Sequence, residues 1–245
     1  MFVSLLASLA SPASPASPVS PVSPVSRFFR ALSGLALCAG WVAGGVMLSG
    51  PAFAADPTRH HDHSGIVAAY KGAPPKVTLS EAEEAKLASG QMVQKQVQTG
   101  NGGHAVAFMN INATPDKVWS KITAFNMYPS WVDNVQKCSV YSKSGSVINV
   151  DFALSVMGIG VEYYVRHDYQ PALGYMTWTL DYTRQSDLDD SVGYWRVTAL
   201  SPTQTRLEYS VDIRFKGWIP GFAQEMISSK GLTTATSWVK KQSES

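Results

Sequence analysis

The sequence predicts an α+β domain: a curved antiparallel sheet wrapped around a long C-terminal helix, with two short helices after the first strands. Three observations predict it. Six strand-like runs succeed one another between residues 136 and 215, each bounded by turn residues. Their alternation is clean, as Ile148, Val150, Phe152, Leu154 and Val156 share one face while Asn149 and Asp151 take the other. After Gly217-Trp218-Ile219-Pro220, helical spacing runs to about Lys241.

The chain starts less simply. Residues 1–26 are a low-complexity Ser/Pro/Ala segment with nothing to build a core from, and a misassigned start, with translation beginning at Val22 or Val25, would account for it. Residues 27–54 read as a signal peptide: basic Arg27-Phe28-Phe29-Arg30, an uncharged apolar run from Ala31 to Leu48, then Ala52-Phe53-Ala54 as the cleavage site. A retained membrane anchor is the competing reading, but Gly34, Gly40, Gly44 and Gly45 make the run weakly hydrophobic. Leu37 is too large for the position before a lipidated cysteine, which sets Cys38 aside. The expectation is cleavage near Ala54 and a periplasmic or secreted mature protein.

Cleavage also changes the charge. Arg27 and Arg30 are the charged residues before Asp56, so 20 basic side chains become 18, against 18 acidic. A nucleic-acid binder needs a basic surplus to displace counterions, and none is left. Cys138 becomes the lone cysteine of the mature chain, which excludes an intramolecular disulfide.

Residues 55–77 read as a flexible linker, from Asp-Pro through His-His-Asp-His to Gly-Ala-Pro-Pro. His60, His61 and His63 could hold a metal ion, but such tracts in tails bind metal adventitiously, and no metal site is expected. The domain proper is expected over 78–245. Ser80 to Glu83 matches a capping box and opens a short helix that Gly90 closes. Met92, Val93 and Val97, then Ala105 to Ile111, read as strands joined across Thr99 to Gly103. Thr114 caps a helix with Pro115 in its first position, and a second short helix covers Tyr128 to Val135. The strand runs are 136–143, 146–156, 160–169, 174–182, 191–200 and 204–215. In the last, Leu207, Tyr209, Val211, Ile213 and Phe215 oppose Arg206, Glu208, Asp212 and Arg214, so one face is buried and the other meets water. On the final helix Phe222, Met226, Lys230, Thr233 and Ser237 form one stripe, and Ile227, Gly231, Ala235 and Trp238 its neighbour.

Ile111 to Trp119 (Ile-Asn-Ala-Thr-Pro-Asp-Lys-Val-Trp) resembles the opening "strand, Ala-x-Pro-x-x-Val-Trp" of the START-like, SRPBCC or helix-grip superfamily. Tyr128-Pro129-Ser130-Trp131-Val132-Asp133-Asn134-Val135 is similar to its "Tyr-x-x-Trp-x-x-x-Val" helix. Gly193-Tyr194-Trp195 resembles its "Gly-x-Trp" strand, and Ile219-Pro220 the opening of its last helix. The match covers about 91–241 and looks nearest to the coenzyme-Q-binding, polyketide cyclase/dehydrase branch. The resemblance implies the helix-grip fold and an internal cavity for a hydrophobic molecule. It leaves the ligand open, because the superfamily includes lipid carriers, cyclases and hydroxylase subunits.

Catalytic signatures are sparse. There is no G-x-S-x-G, H-E-x-x-H, C-x-x-C or Walker loop. Asp187-Leu188-Asp189-Asp190 reads as a solvated loop between strands. His167 shares a face with Val161, Tyr163 and Val165 and is expected as a hydrogen-bonded wall histidine, with an acid or base as the alternative. The expected ligand contacts are Phe152, Tyr163, His167, Trp178, Trp195, Tyr209, Phe222, Met226 and Thr233. The sequence thus points to an exported, non-catalytic carrier of a lipid, isoprenoid quinone or sterol-like molecule. It is expected to need no cofactor, to be monomeric, and to touch a membrane only transiently. The alternative is a cyclase or aromatase acting on a polyketide-like substrate.

Overall fold

The protein is described from a computed structural model covering residues 55–156, 158–217, 221, 225–226 and 228–245. The low-complexity segment and signal peptide expected over 1–54 lie outside these residues, as does Phe222.

Helix α1 (Glu81–Ala88) starts at the expected capping box: the Ser80 side chain accepts from the Glu83 amide, and the Glu83 carboxylate accepts from the Ser80 amide. Gly90, at φ 82°, ends it. Strands β1 (Val93–Thr99) and β2 (Gly102–Ile111) form the expected hairpin. Helix α2 (Pro115–Ile122) has Thr114 as its cap and buries Val118, Trp119 and Ile122. Helix α3 (Tyr128–Trp131) is shorter than its sequence reading. Val132 is extended and Asn134 has φ 70°, a left-handed conformation that asparagine tolerates, so the chain has already turned into the next strand by Val135.

The remaining strands are β3 (Val135–Ser144), β4 (Val147–Val156), β5 (Ile159–Gln170), β6 (Tyr175–Leu180), β7 (Leu188–Ser201) and β8 (Gln204–Phe215). Together the eight form one antiparallel sheet in the order β1-β2-β8-β7-β6-β5-β4-β3. The segment 187–190, expected as a solvated loop, instead leads into and belongs to β7, and Asp190 is fully buried.

The terminal helix is interrupted. Glu225 and Met226 are helical, but Ser228 is extended (φ −63°, ψ 162°) and caps a new helix, α4 (Ser229–Glu244), by accepting from the Gly231 amide at 3.0 Å. Gly231 is required there, because a Cβ would sit 2.3 Å from the Glu225 carbonyl oxygen. Helix α4 lies against β1, β2 and α2. Its Trp238 and Val239 join Val118, Ile122, Phe125 and Leu207 in the main core, while Leu232 packs on Ala105 and Ala107.

Residues 55–77 are not a free linker; they form a strap bound to the outer face of the sheet. Asp56 pairs with Gln185, and the His61 amide donates to the Tyr182 carbonyl. The Asp190 carboxylate accepts from the amides of Ile66 and Val67, both at 2.7 Å, from the Tyr182 hydroxyl and from the Ser191 amide. Farther along, Tyr70 meets Tyr194 edge-on and the Arg196 guanidinium donates to the carbonyls of Pro74 and Pro75. That cover explains a departure from simple alternation. Glu208 lies on the outer face yet is buried, held by Tyr194 and by Arg196 at 3.0 Å. Charge on that face is matched beneath the strap instead of being left to water.

Candidate functional site

The inner face of the sheet, α3 and the terminal helical segment enclose a cavity of about 410 Å³. Strand alternation supplies its wall: Phe152, Leu154 and Val156 from β4; Tyr163, Val165 and His167 from β5; Trp178, Trp195, Tyr209, Val211 and Ile213 from β6 to β8. The volume suits a small apolar molecule.

The sequence-predicted residues divide unevenly. Phe152, Tyr163, His167, Trp178, Trp195, Tyr209 and Met226 all line the cavity. Phe222 lies outside the described residues. Thr233 does not belong to the wall: it is exposed, with its hydroxyl bonded to the Ser229 carbonyl and to Gln94. The break at Ser228 is the reason, since it shifts the phase between Met226 and α4. The stripe facing the cavity is therefore Gly231, Ala235 and Trp238, the neighbour of the one chosen from sequence. Phe125, Tyr128, Leu188 and Ser191 also line it and were missed. The spacing of Gly231, Ala235 and Trp238, and the shared strand parity of Ser191 and Trp195, carried a usable signal.

Aromatic contacts fix the wall. The rings of Phe152 and Tyr163 stack at 5.1 Å and 4°. Tyr209 lies between Trp178 and Trp195, at 5.5 and 4.5 Å. Trp178 donates its indole N–H to the Ser191 hydroxyl at 3.3 Å. His167 donates from Nδ1 to the Ile148 carbonyl at 3.3 Å and sits beside Phe125 and Trp178. That leaves Nε2 as an acceptor.

Burial keeps this interior uncharged. It pushes the His167 imidazole down to about 4 and raises the hydroxyls of Tyr163 and Tyr209 and the Cys138 thiol well above their ordinary values. Among the described residues the charged lining side chains are Asp133, Glu225 and Lys230; Asp133 and Lys230 are exposed, and Lys230 pairs with Glu225 at 3.0 Å. A thiol held protonated is a poor nucleophile, and an imidazole titrating near 4 is a weak base at neutral pH.

The histidine tract has a defined place. His61, His63 and Asp189 bring their potential ligand atoms within 4.8 Å of one another. The hydrogen bonds, however, assign both rings another role. Each Nδ1 accepts a backbone N–H, from Ser186 at 3.3 Å for His61 and from Gly65 at 3.1 Å for His63. Each Nε2 faces Asp189, at its carbonyl (2.8 Å) or its carboxylate (3.2 Å). A metal-bound imidazole needs an acceptor for its second N–H, and here the second nitrogen faces a donor. These residues fasten the strap.

Sheet, terminal helix and enclosed cavity define an α+β ligand-binding protein of the helix-grip, START-like class. The chain belongs to the polyketide cyclase / dehydrase and lipid transport family, whose model matches residues 111–236, just over half of it. Among solved structures it is similar to the Zhui aromatase/cyclase from Streptomyces sp. R1128, with TM-score 0.51 and 18% identity over 58% of this chain and 93% of that one. It is also similar to a STAR-related lipid transfer protein (fragment 25–204) from Xanthomonas axonopodis, with TM-score 0.51 and 11% identity over 63% of this chain and 93% of that one. At such identity these likenesses speak for the fold alone. No curated protein matches the chain.

Proposed function

We propose that this protein is an exported carrier that binds a hydrophobic molecule in the cavity and releases it to a partner or membrane. The observation that carries the reading is the largely aromatic and aliphatic sheet wall, whose His167 and tyrosines are held uncharged: it offers mostly apolar contact and no paired nucleophile and base among the described residues. Burying apolar area at ~25 cal/mol per Å² makes micromolar binding accessible for a molecule of this size. Export rests on the Arg27–Ala54 signal pattern. Asp56, at the expected mature terminus, already pairs with Gln185, so cleavage near Ala54 would leave the strap attached.

Native mass spectrometry with lipid extraction of the purified protein tests the carrier reading. A co-purified apolar ligand is expected, and uptake of a fluorescent lipid should follow its removal. Ala235→Trp, which fills the cavity, should abolish uptake, whereas Thr233→Trp on the exposed face should not. Equal uptake by both variants would overturn the assignment.

A further inference from the structure

Two hydroxyls in the cavity wall have no hydrogen-bond partner among the described residues. Tyr163 and Tyr209 are held by their rings, one stacked on Phe152 and the other between two indoles. Neither phenol oxygen makes a hydrogen bond to a described residue. Neither is among the fully sealed, unbonded polar atoms either, so both oxygens reach cavity space. Tyr128, also in the wall, makes the contrast: its hydroxyl is spent on the Ile122 carbonyl at 2.5 Å. His167 adds a third free position, since its Nδ1 proton is used on Ile148 and its Nε2 is left as an acceptor. A buried polar group without a partner costs free energy unless something bonds to it.

We propose that the cavity selects an uncharged apolar molecule bearing a carbonyl or hydroxyl oxygen, which accepts hydrogen bonds from Tyr163 and Tyr209. This rests on the carrier reading and narrows its ligand class. A hydroxyl on the same molecule could in turn donate to His167 Nε2. The two phenols remain protonated donors throughout the neutral range, because burial disfavours the ionisation of both and the neighbouring Tyr209 adds to this for Tyr163. A carboxylate or phosphate is disfavoured by the same wall. It would be buried without a cation, as Lys230 at the mouth already answers Glu225, and Asp133 adds a second negative charge there.

The test uses the purified full chain and three linear probes of equal length: a ketone, a hydrocarbon and a carboxylate. Each competes with diphenylhexatriene, a neutral apolar fluorophore, for the cavity. The ketone should compete about 5-fold or more better than the hydrocarbon, the factor expected from one net hydrogen bond of about 1 kcal/mol. It should also surpass the carboxylate at neutral pH. In Tyr163→Phe/Tyr209→Phe the ketone-to-hydrocarbon ratio should fall to about one. Because neither hydroxyl has a partner among the described residues to lose, the melting temperature of that variant should not drop. Equal competition by ketone and hydrocarbon, preference for the carboxylate, or a ratio that survives in the double variant would overturn the inference while leaving the carrier reading intact. Failure of diphenylhexatriene to bind at all would overturn both.

Discussion

The indole of Trp178 occupies the space that a side chain at Gly193 would need. The two residues are paired across β6 and β7, and a Cβ on Gly193 would sit 2.2 Å from the ring carbon Cζ2 and 2.3 Å from the Ser210 carbonyl oxygen. Glycine at this position lets the indole lie across the neighbouring strand and reach Ser191. The first residue of the Gly193-Tyr194-Trp195 motif therefore shapes the cavity through a neighbour's ring.

Gly193→Val should consequently displace Trp178 and cost about 1–3 kcal/mol or more, as overpacking does. Thermal melting and the tryptophan emission spectrum check this. An unchanged melt and spectrum would mean that the cross-strand contact is not a constraint.

Trp119→Ala should destabilise by about 3–5 kcal/mol, because Trp119 is buried on α2 and meets Tyr169 edge-on at 5.3 Å. Denaturant unfolding measures it. A loss below ~1 kcal/mol would mean that α2 does not anchor the core.

Stability should depend on pH through His167. The unfolded imidazole takes up its proton near 6.5, but the folded one only at about 4. Between these values the unfolded state binds more protons, so stability is fully present above 6.5 and falls as the solution is acidified towards 4. The loss is on the order of 3 kcal/mol. His167→Asn should flatten that part of the stability–pH curve, and an equally steep curve in the variant would place the titration elsewhere.

The strap should loosen in the same direction. Burial lowers the His61 pKa, and protonation would replace the acceptor at Nδ1 with a second donor facing the Ser186 amide. Hydrogen exchange at the Ile66 and Val67 amides should accelerate as pH falls below about 6.5, after correction for the intrinsic rate. Asp190→Ala should remove their protection at any pH and cost about 3 kcal/mol or more, since four donors lose one buried carboxylate.

Short-range physics was legible without coordinates. The period-two pattern set which residues of β4, β5 and β8 face inward, and seven of the nine expected ligand contacts do line the cavity. The Ser80 and Thr114 caps were equally readable, because a cap is satisfied within three residues. Three things were decided by the fold alone. Residues 55–77 looked like a linker because their partners, Tyr182, Asp189, Asp190 and Arg196, lie more than a hundred residues away. The 187–190 run looked solvated because acidic residues ordinarily are, until backbone amides from the strap reach them. And Thr233 seemed to face the ligand because helical phase was extrapolated through Ser228, where an extended residue resets it. Alternation and capping are local and sequence determines them directly. Burial of polar groups and the phase of an interrupted helix depend on which distant donors the chain brings into reach, and only the tertiary structure decides that.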